Sequence, residues 1–142
     1  RAFDTRMQRN SVVVELAGHR DTITGTSVSR DGSYLLSNSR DNTLRIWDCK
    51  AMSTRQNRCL KIFEGATHNF ENHALRCSWS HDGSKVAGGS ADHLVCVWDT
   101  TSRKLIYRLP GHQGPVYDVI FHPSQPIVAS CGADKRIFLG EL

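Results

Sequence analysis

The chain has 142 residues, 39% of them hydrophobic and 23% charged, with a formal net charge of +4 and a pI near 9.0. These are ordinary globular proportions, which exclude a largely disordered chain, and no apolar run is long enough for a membrane-spanning helix. The five cysteines (Cys49, Cys59, Cys77, Cys96, Cys131) are odd in number, include no Cys-x-x-Cys pair and join no Cys/His cluster of ligand spacing, so reduced thiols and neither metal nor cofactor are expected.

In chain order, Phe3-Asp4 reads as the worn end of an earlier repeat filling residues 1–11. With Arg1 first and no signal-peptide core, the chain is expected to be the C-terminal portion of a longer protein. Val12 to Leu16 reads as a strand leading into Gly18-His19. Ile23 to Val28 is a second strand, and Ser29-Arg30-Asp31-Gly32-Ser33 is turn chemistry, because Asp and Gly tolerate the backbone angles a tight turn needs. Tyr34 to Ser37 and Thr43 to Trp47 are strands flanking the tight turn Arg40-Asp41-Asn42. Leu60 to Phe63 then leads into a second copy, with His68, Asp82-Gly83, Asp92 and Trp98-Asp99. Leu105 to Leu109 leads into a third, with Gly111-His112, Ser130, Asp134 and Gly140-Glu141.

The spacing supports three copies, at 12–48, 60–99 and 105–142. His19 to Asp41 and His112 to Asp134 are each 22 positions (41 − 19; 134 − 112), and His68 to Asp92 is 24 (92 − 68), a small insertion. A Gly-His…Trp-Asp unit of about 40–45 residues with four short antiparallel strands is the pattern of a β-propeller blade. The fold expected is all-β, the C-terminal three blades of a seven-bladed WD-repeat ring. Three blades cannot close a ring, and the last copy stops after its third strand at Leu142, so the missing strand and blades are expected upstream.

In WD-repeat propellers, which these units resemble, His, Ser, Asp and Trp form a buried hydrogen-bond chain. Carried onto this sequence, Asp41 holds His19, His19 holds Ser37, and Ser37 accepts from the Trp47 indole. The second copy offers His68, Asp92 and Trp98 but Gly88 at the serine position, so its chain is expected to be broken or filled by water. The third offers His112, Ser130 and Asp134 but Gly140 for Trp, so the Ser130 hydroxyl is expected to need another partner. A Ser–His–Asp set also suits a hydrolase, but that chemistry needs an exposed serine beside an oxyanion hole, and there is no nucleophile elbow, phosphate loop or metalloprotease helix. No enzyme is expected.

The departures from the generic repeat carry a narrower resemblance. The stretch CLKIFEGATHNFENHALRCSWSHDGSKVAGGSADHLVCVWDTTSRKLIYRLPGH, the ending DKRIFLGEL and the first copy's GSYLLSNSRDNTLRIWD together resemble the C-terminal part of the WD-repeat subunits of the spliceosomal U-five small nuclear ribonucleoprotein, from about Leu16 to Leu142. The resemblance implies a nuclear, non-catalytic scaffold in pre-mRNA splicing without a cofactor. Its partners would be the large scaffold protein of that particle, with the GTPase and helicase subunits. The rival is another WD-repeat adaptor, such as a cullin ubiquitin ligase substrate receptor. That class often carries Trp-Asp-x-Arg, whereas Trp47-Asp48 is followed by Cys49-Lys50 and Trp98-Asp99 by Thr100-Thr101. Basic residues such as Arg55, Arg58, Lys61, Arg103, Lys104 and Arg108 are scattered, so RNA contact is expected to be secondary. In similar propellers, partners meet the residue before the turn Asp and the third and fifth residues after the His. These are Arg40, Thr22 and Thr24; Ala91, His73 and Leu75; and Ala133, Pro115 and Tyr117. Arg40 and Tyr117 lead this set, because Arg and Tyr are enriched in interface hot spots.

Overall fold

The computed structural model describes residues 2–3 and 12–142, save 51–52, 54–55, 70 and 72. Ala2–Phe3 (β1) pairs antiparallel with Val12–Val14 (β2). Asp4 of the worn repeat end and most of residues 1–11 lie outside the described residues.

The first full blade runs Ile23–Val28 (β3), Tyr34–Ser39 (β4), Thr43–Asp48 (β5) and Cys59–Glu64 (β6), each strand pairing antiparallel with the next. The second runs Cys77–Trp79 (β7), Lys85–Gly89 (β8), Val95–Asp99 (β9) and Leu105–Leu109 (β10). The third holds Val116–Phe121 (β11), Ile127–Gly132 (β12) and Ile137–Glu141 (β13). The strands lie where their alternation and turns place them, with β2 ending earlier than Leu16 and β4 continuing to Ser39.

The turns explain the meander. Asp31 Oδ1 accepts from the Ser29 hydroxyl at 2.6 Å and the Ser33 N–H at 3.1 Å, and Ser29 Oγ accepts from the Tyr34 N–H at 2.9 Å. Gly32 (φ 70°) supplies the left-handed residue this closure requires. Ser80, Asp82 and Ser84 repeat the device at 2.7, 3.1 and 2.9 Å. In the third blade, His122 Nδ1 instead accepts the N–H groups of Ser124 and Gln125, at 3.3 and 3.1 Å.

Blades bury their faces against each other. Leu36, Leu44, Ile46 and Phe63 of the first pack with Ala66, Cys77, Val86, Cys96 and Trp98 of the second. Ala87, Val95 and Val97 pack with Val116, Val119 and Val128 across the next seam. Adjacent blades run so close that a Cβ on Gly25 would sit 2.9 Å from Arg76 Cα, and one on Gly89 would sit 2.0 Å from the Val116 carbonyl oxygen. Backbone bonds cross the second seam, from Arg76 N–H to Tyr117 O at 2.8 Å and from Val116 N–H to Ser90 O at 3.1 Å.

Candidate interaction surface

In the first blade the four repeat residues meet. His19 Nδ1 lies 2.9 Å from Asp41 Oδ2, His19 Nε2 lies 2.6 Å from Ser37 Oγ, and the Trp47 indole donates to Ser37 Oγ at 2.7 Å. The indole can only donate, so the Ser37 hydroxyl turns its own proton to Nε2, and Nδ1 carries the proton that Asp41 accepts. Asp41 also accepts from the Arg20 N–H at 3.0 Å and the Thr43 hydroxyl at 2.6 Å. Burial pushes the Asp41 carboxyl upward, but these donors and His19 outweigh it and hold it well below the usual carboxylate range. Burial lowers His19, against the opposing pull of Asp41. Ser37 is 2% exposed and capped by an indole, so it has no route to a substrate.

The third blade keeps part of the chain. His112 Nδ1 lies 3.0 Å from Asp134 and Nε2 lies 3.0 Å from Ser130 Oγ. Gly140 stands opposite Val128 as Trp47 stands opposite Leu35, so the indole is missing as the sequence indicates. Ser130 nevertheless needs no further donor or acceptor for its proton, which goes to His112 Nε2; only an acceptor lone pair is left over. Phe138 packs its ring edge-on against His112, centroids 4.6 Å apart.

The second blade corrects the expectation. His68 does not meet Asp92: its Nε2 lies 3.3 Å from Asn38 Oδ1, and its N–H donates to Asn42 Oδ1 at 2.7 Å. Asp92 is exposed. The histidine position belongs to Ala66, which follows Gly65 directly after β6, as His112 follows Gly111 after β10. Gly65 (φ 117°) and Gly111 (φ 147°) share the left-handed conformation. With Ala66 for His and Gly88 for Ser, the hydrogen-bond chain is broken in this blade, as expected from Gly88, and apolar packing stands in its place. Leu44 closes over Gly88, 3.2 Å from where a Cβ would stand, and the Trp98 indole donates to Glu64 O at 2.8 Å. Both polar partners are gone together, which leaves no orphan.

The residues expected to face a partner gather at one end of the strands. Arg40 N–H donates to Thr22 O at 2.9 Å, and Ala133 N–H to Pro115 O at 2.9 Å. Ala91 N–H donates at 2.8 Å to Thr67 O, not to His73, because the insertion in the second copy falls between Thr67 and Leu75. Phe70 of that insertion lies outside the described residues. Among the described residues the Arg40 guanidinium takes part in no hydrogen bond or ion pair, and it helps to lower His68, which burial lowers most. His73 packs against Tyr117, ring centroids 5.0 Å apart, and meets Glu71 at 3.0 Å. Leu75 is a second correction: it is 0% exposed and presents no side chain to a partner. Its carbonyl accepts instead from Thr24 Oγ1 at 2.8 Å and Asn38 Nδ2 at 3.0 Å, so Thr24 and Asn38 stitch the first seam. The buried Asn38 was not legible as a seam residue, since nothing in a strand pattern marks an inward amide.

The five thiols are free, and burial raises Cys77 to about 12 and Cys96 to about 11, which leaves both unreactive. No group of three metal-ligating side chains is found among the described residues.

The family model "WD domain, G-beta repeat" matches residues 10–48, 57–99 and 103–139. The human "U5 small nuclear ribonucleoprotein 40 kDa protein" is 53% identical over 134 residues, covering 94% of this chain and 37% of that protein. The Dictyostelium discoideum protein of the same name is 51% identical over 184 aligned residues, covering all of this chain and 51% of the relative. "Pre-mRNA-splicing factor cwf17" of Schizosaccharomyces pombe is 52% identical over 127 residues, covering 89% of this chain and 37% of that protein. This chain thus spans between about a third and half the length of these relatives. The solved "Structure of U3-55K" superposes with a TM-score of 0.74 at 22% identity, covering 89% of this chain and 38% of that one, which supports the propeller fold alone. With three hydrogen-bonded blades and three matched repeats, the chain belongs to the WD domain, G-beta repeat family.

Proposed function

We propose that this chain is part of a non-catalytic WD-repeat scaffold of the spliceosomal U-five small nuclear ribonucleoprotein, acting in the nucleus in pre-mRNA splicing. The observation that carries this reading is 51–54% identity to proteins of that particle over 94% or more of the chain. The partners are the large scaffold protein of the particle and other spliceosomal proteins, and direct RNA contact is secondary. The contact surface is the strand end that holds Arg40, Thr22, Thr24, Pro115, Tyr117 and His73. A guanidinium that bonds to no other described residue and a half-buried tyrosine suit it to anchoring a protein partner.

The test is capture of the complete protein from nuclear extract, with and without ribonuclease. Splicing subunits should be retained after ribonuclease and at moderate salt, since protein contacts are less salt-sensitive than phosphate contacts. An Arg40→Ala/Tyr117→Ala double variant that melts like wild type should lose most of the large scaffold protein. Release by ribonuclease, or recovery of cullin adaptors in place of splicing proteins, overturns the reading.

A further inference from the structure

The insertion that lengthens the second copy is tied to all three blades. With Ala66 at the histidine position, Ala66 to Asp92 is 26 positions (92 − 66), four more than the 22 of the other two copies (26 − 22). The extra residues fall between Thr67 and Leu75, at the strand end that holds Arg40 and Tyr117. We propose that Asn42 and Asn38 are positioning residues for the protein-partner surface, which hold the insertion through His68 and so fix Arg40 and Tyr117 relative to each other. This inference rests on the contact surface proposed above and names what orders it.

Each end of the insertion is anchored. At its start, Thr67 N–H donates to Ser90 Oγ at 2.9 Å and Thr67 O accepts from Ala91 N–H at 2.8 Å, both within the second blade. At its end, Leu75 O accepts from Thr24 Oγ1 and Asn38 Nδ2 of the first blade, and Arg76 N–H donates to Tyr117 O of the third at 2.8 Å. Between these ends, His68 is held from the side by the first blade. Its backbone N–H donates to Asn42 Oδ1 at 2.7 Å, and its Nε2 lies 3.3 Å from Asn38 Oδ1. An amide oxygen only accepts, so Nε2 carries the proton of that pair. Further along, the His73 ring packs on Tyr117, centroids 5.0 Å apart.

The turn that carries Asn42 does not itself need an asparagine. Asn42 has φ 63°, and His93 and Lys135, which follow Asp92 and Asp134 as Asn42 follows Asp41, take 72° and 63° at the same place. What the amide adds is the acceptor for His68 N–H. Arg40 belongs to the same turn, and after burial its charge is the next cause that lowers His68. The clamp therefore joins the turn that presents Arg40 to the insertion whose His73 covers Tyr117. A surface ordered before the partner arrives loses less conformational freedom on binding, which raises affinity without any added contact.

The test measures binding of the purified large scaffold protein to the complete WD-repeat protein by biolayer interferometry, together with amide hydrogen exchange at His68. Asn42→Gly keeps a residue suited to φ 63° but removes the acceptor. Its His68 amide should exchange faster, and binding should weaken about fivefold, the worth of one ordering hydrogen bond. Asn42→Asp keeps both the acceptor and the turn, and should bind within about twofold of wild type. In a Tyr117→Ala background the further loss on Asn42→Gly should be smaller, as for a residue that acts through that anchor. Binding is read well below the melting temperature of every variant, so a shift in stability does not enter. The proposal is overturned if Asn42→Gly binds as wild type does, if its His68 amide is unchanged, or if Asn42→Asp weakens binding as much. Arg40→Ala/Tyr117→Ala separates the two readings: if it loses binding while Asn42→Gly does not, only this inference fails, and if it binds as wild type does, the contact surface itself is wrong.

Discussion

At the scale of residues, the complete His19–Ser37–Asp41–Trp47 chain and the partial one around His112 make unequal demands. Asp41→Ala strands the His19 Nδ1–H, the Arg20 N–H and the Thr43 hydroxyl at once. Leaving buried donors unsatisfied costs about 1–3 kcal/mol each, so a loss of about 3 kcal/mol is expected. Ser130→Ala removes one donor to His112 Nε2 and should cost about 1 kcal/mol. Denaturant midpoints of the two variants of the complete protein, at unchanged slope, give the comparison. Acid should act on the same chain. His19 is lowered by burial, so the unfolded chain takes up the proton first, and stability present above about pH 6.5 is lost as pH falls through the folded value. The geometry gives the cause: a protonated Nε2 would face the Ser37 proton, and Ser37 Oγ is already committed to Trp47. Asp41, held low, adds its own loss only below about pH 4. Melting temperature should therefore drop between pH 7.5 and 5.5, and a His19→Gln variant should show a smaller drop.

At the scale of elements, the blade seams depend on glycines that no strand pattern asks for. Gly89→Ala would drive a Cβ to 2.0 Å from the Val116 carbonyl oxygen, so β8 or β11 must move and the Val116–Ser90 bond must stretch. A loss of about 3 kcal/mol is expected, at the upper end for overpacking. Gly88→Ser should cost about 1–3 kcal/mol, since it crowds Leu44 and adds a hydroxyl with no histidine beside it. Urea unfolding of each variant checks both. The same elements show what was legible. The strands and turns were, because alternation and the Ser-x-Asp-Gly-Ser turns are local. The first and third histidines were, because each follows Gly directly. The second was misplaced because His68 lies nearest the expected spacing, although Gly65 directly after β6 marks Ala66 as its true counterpart. Leu75, counted back from Asp82-Gly83, holds the rank of Thr24 and Tyr117 but points into the core. Seams such as Asn38 to Leu75 were not legible, because they join residues whose pairing depends on how blades stack.

At the scale of the whole molecule, the described blades leave apolar surface and strand edges open. β13 pairs only with β12, and Ile137 and Leu139 on it are 77% and 75% exposed. At the far side, Ile23 and Val28 of β3 are 49% and 61% exposed. An unpaired apolar edge is a template for another strand, and repeat blades draw much of their stability from neighbours. Residues 1–142 expressed alone should therefore associate, with light scattering after gel filtration giving a mass above the monomer's 15.9 kDa that rises with concentration. The same residues joined to further WD-repeat blades against these surfaces should run as a monomer under the same conditions. Charged substitutions at the edge separate edge pairing from general instability. Ile137→Lys/Leu139→Lys places two like charges on the open strand, which should lower the associated fraction without restoring a sharp unfolding transition. A segment that is monomeric and unfolds sharply and reversibly would mean that three blades are stable without neighbours, and that the exposed edge is tolerated as it stands.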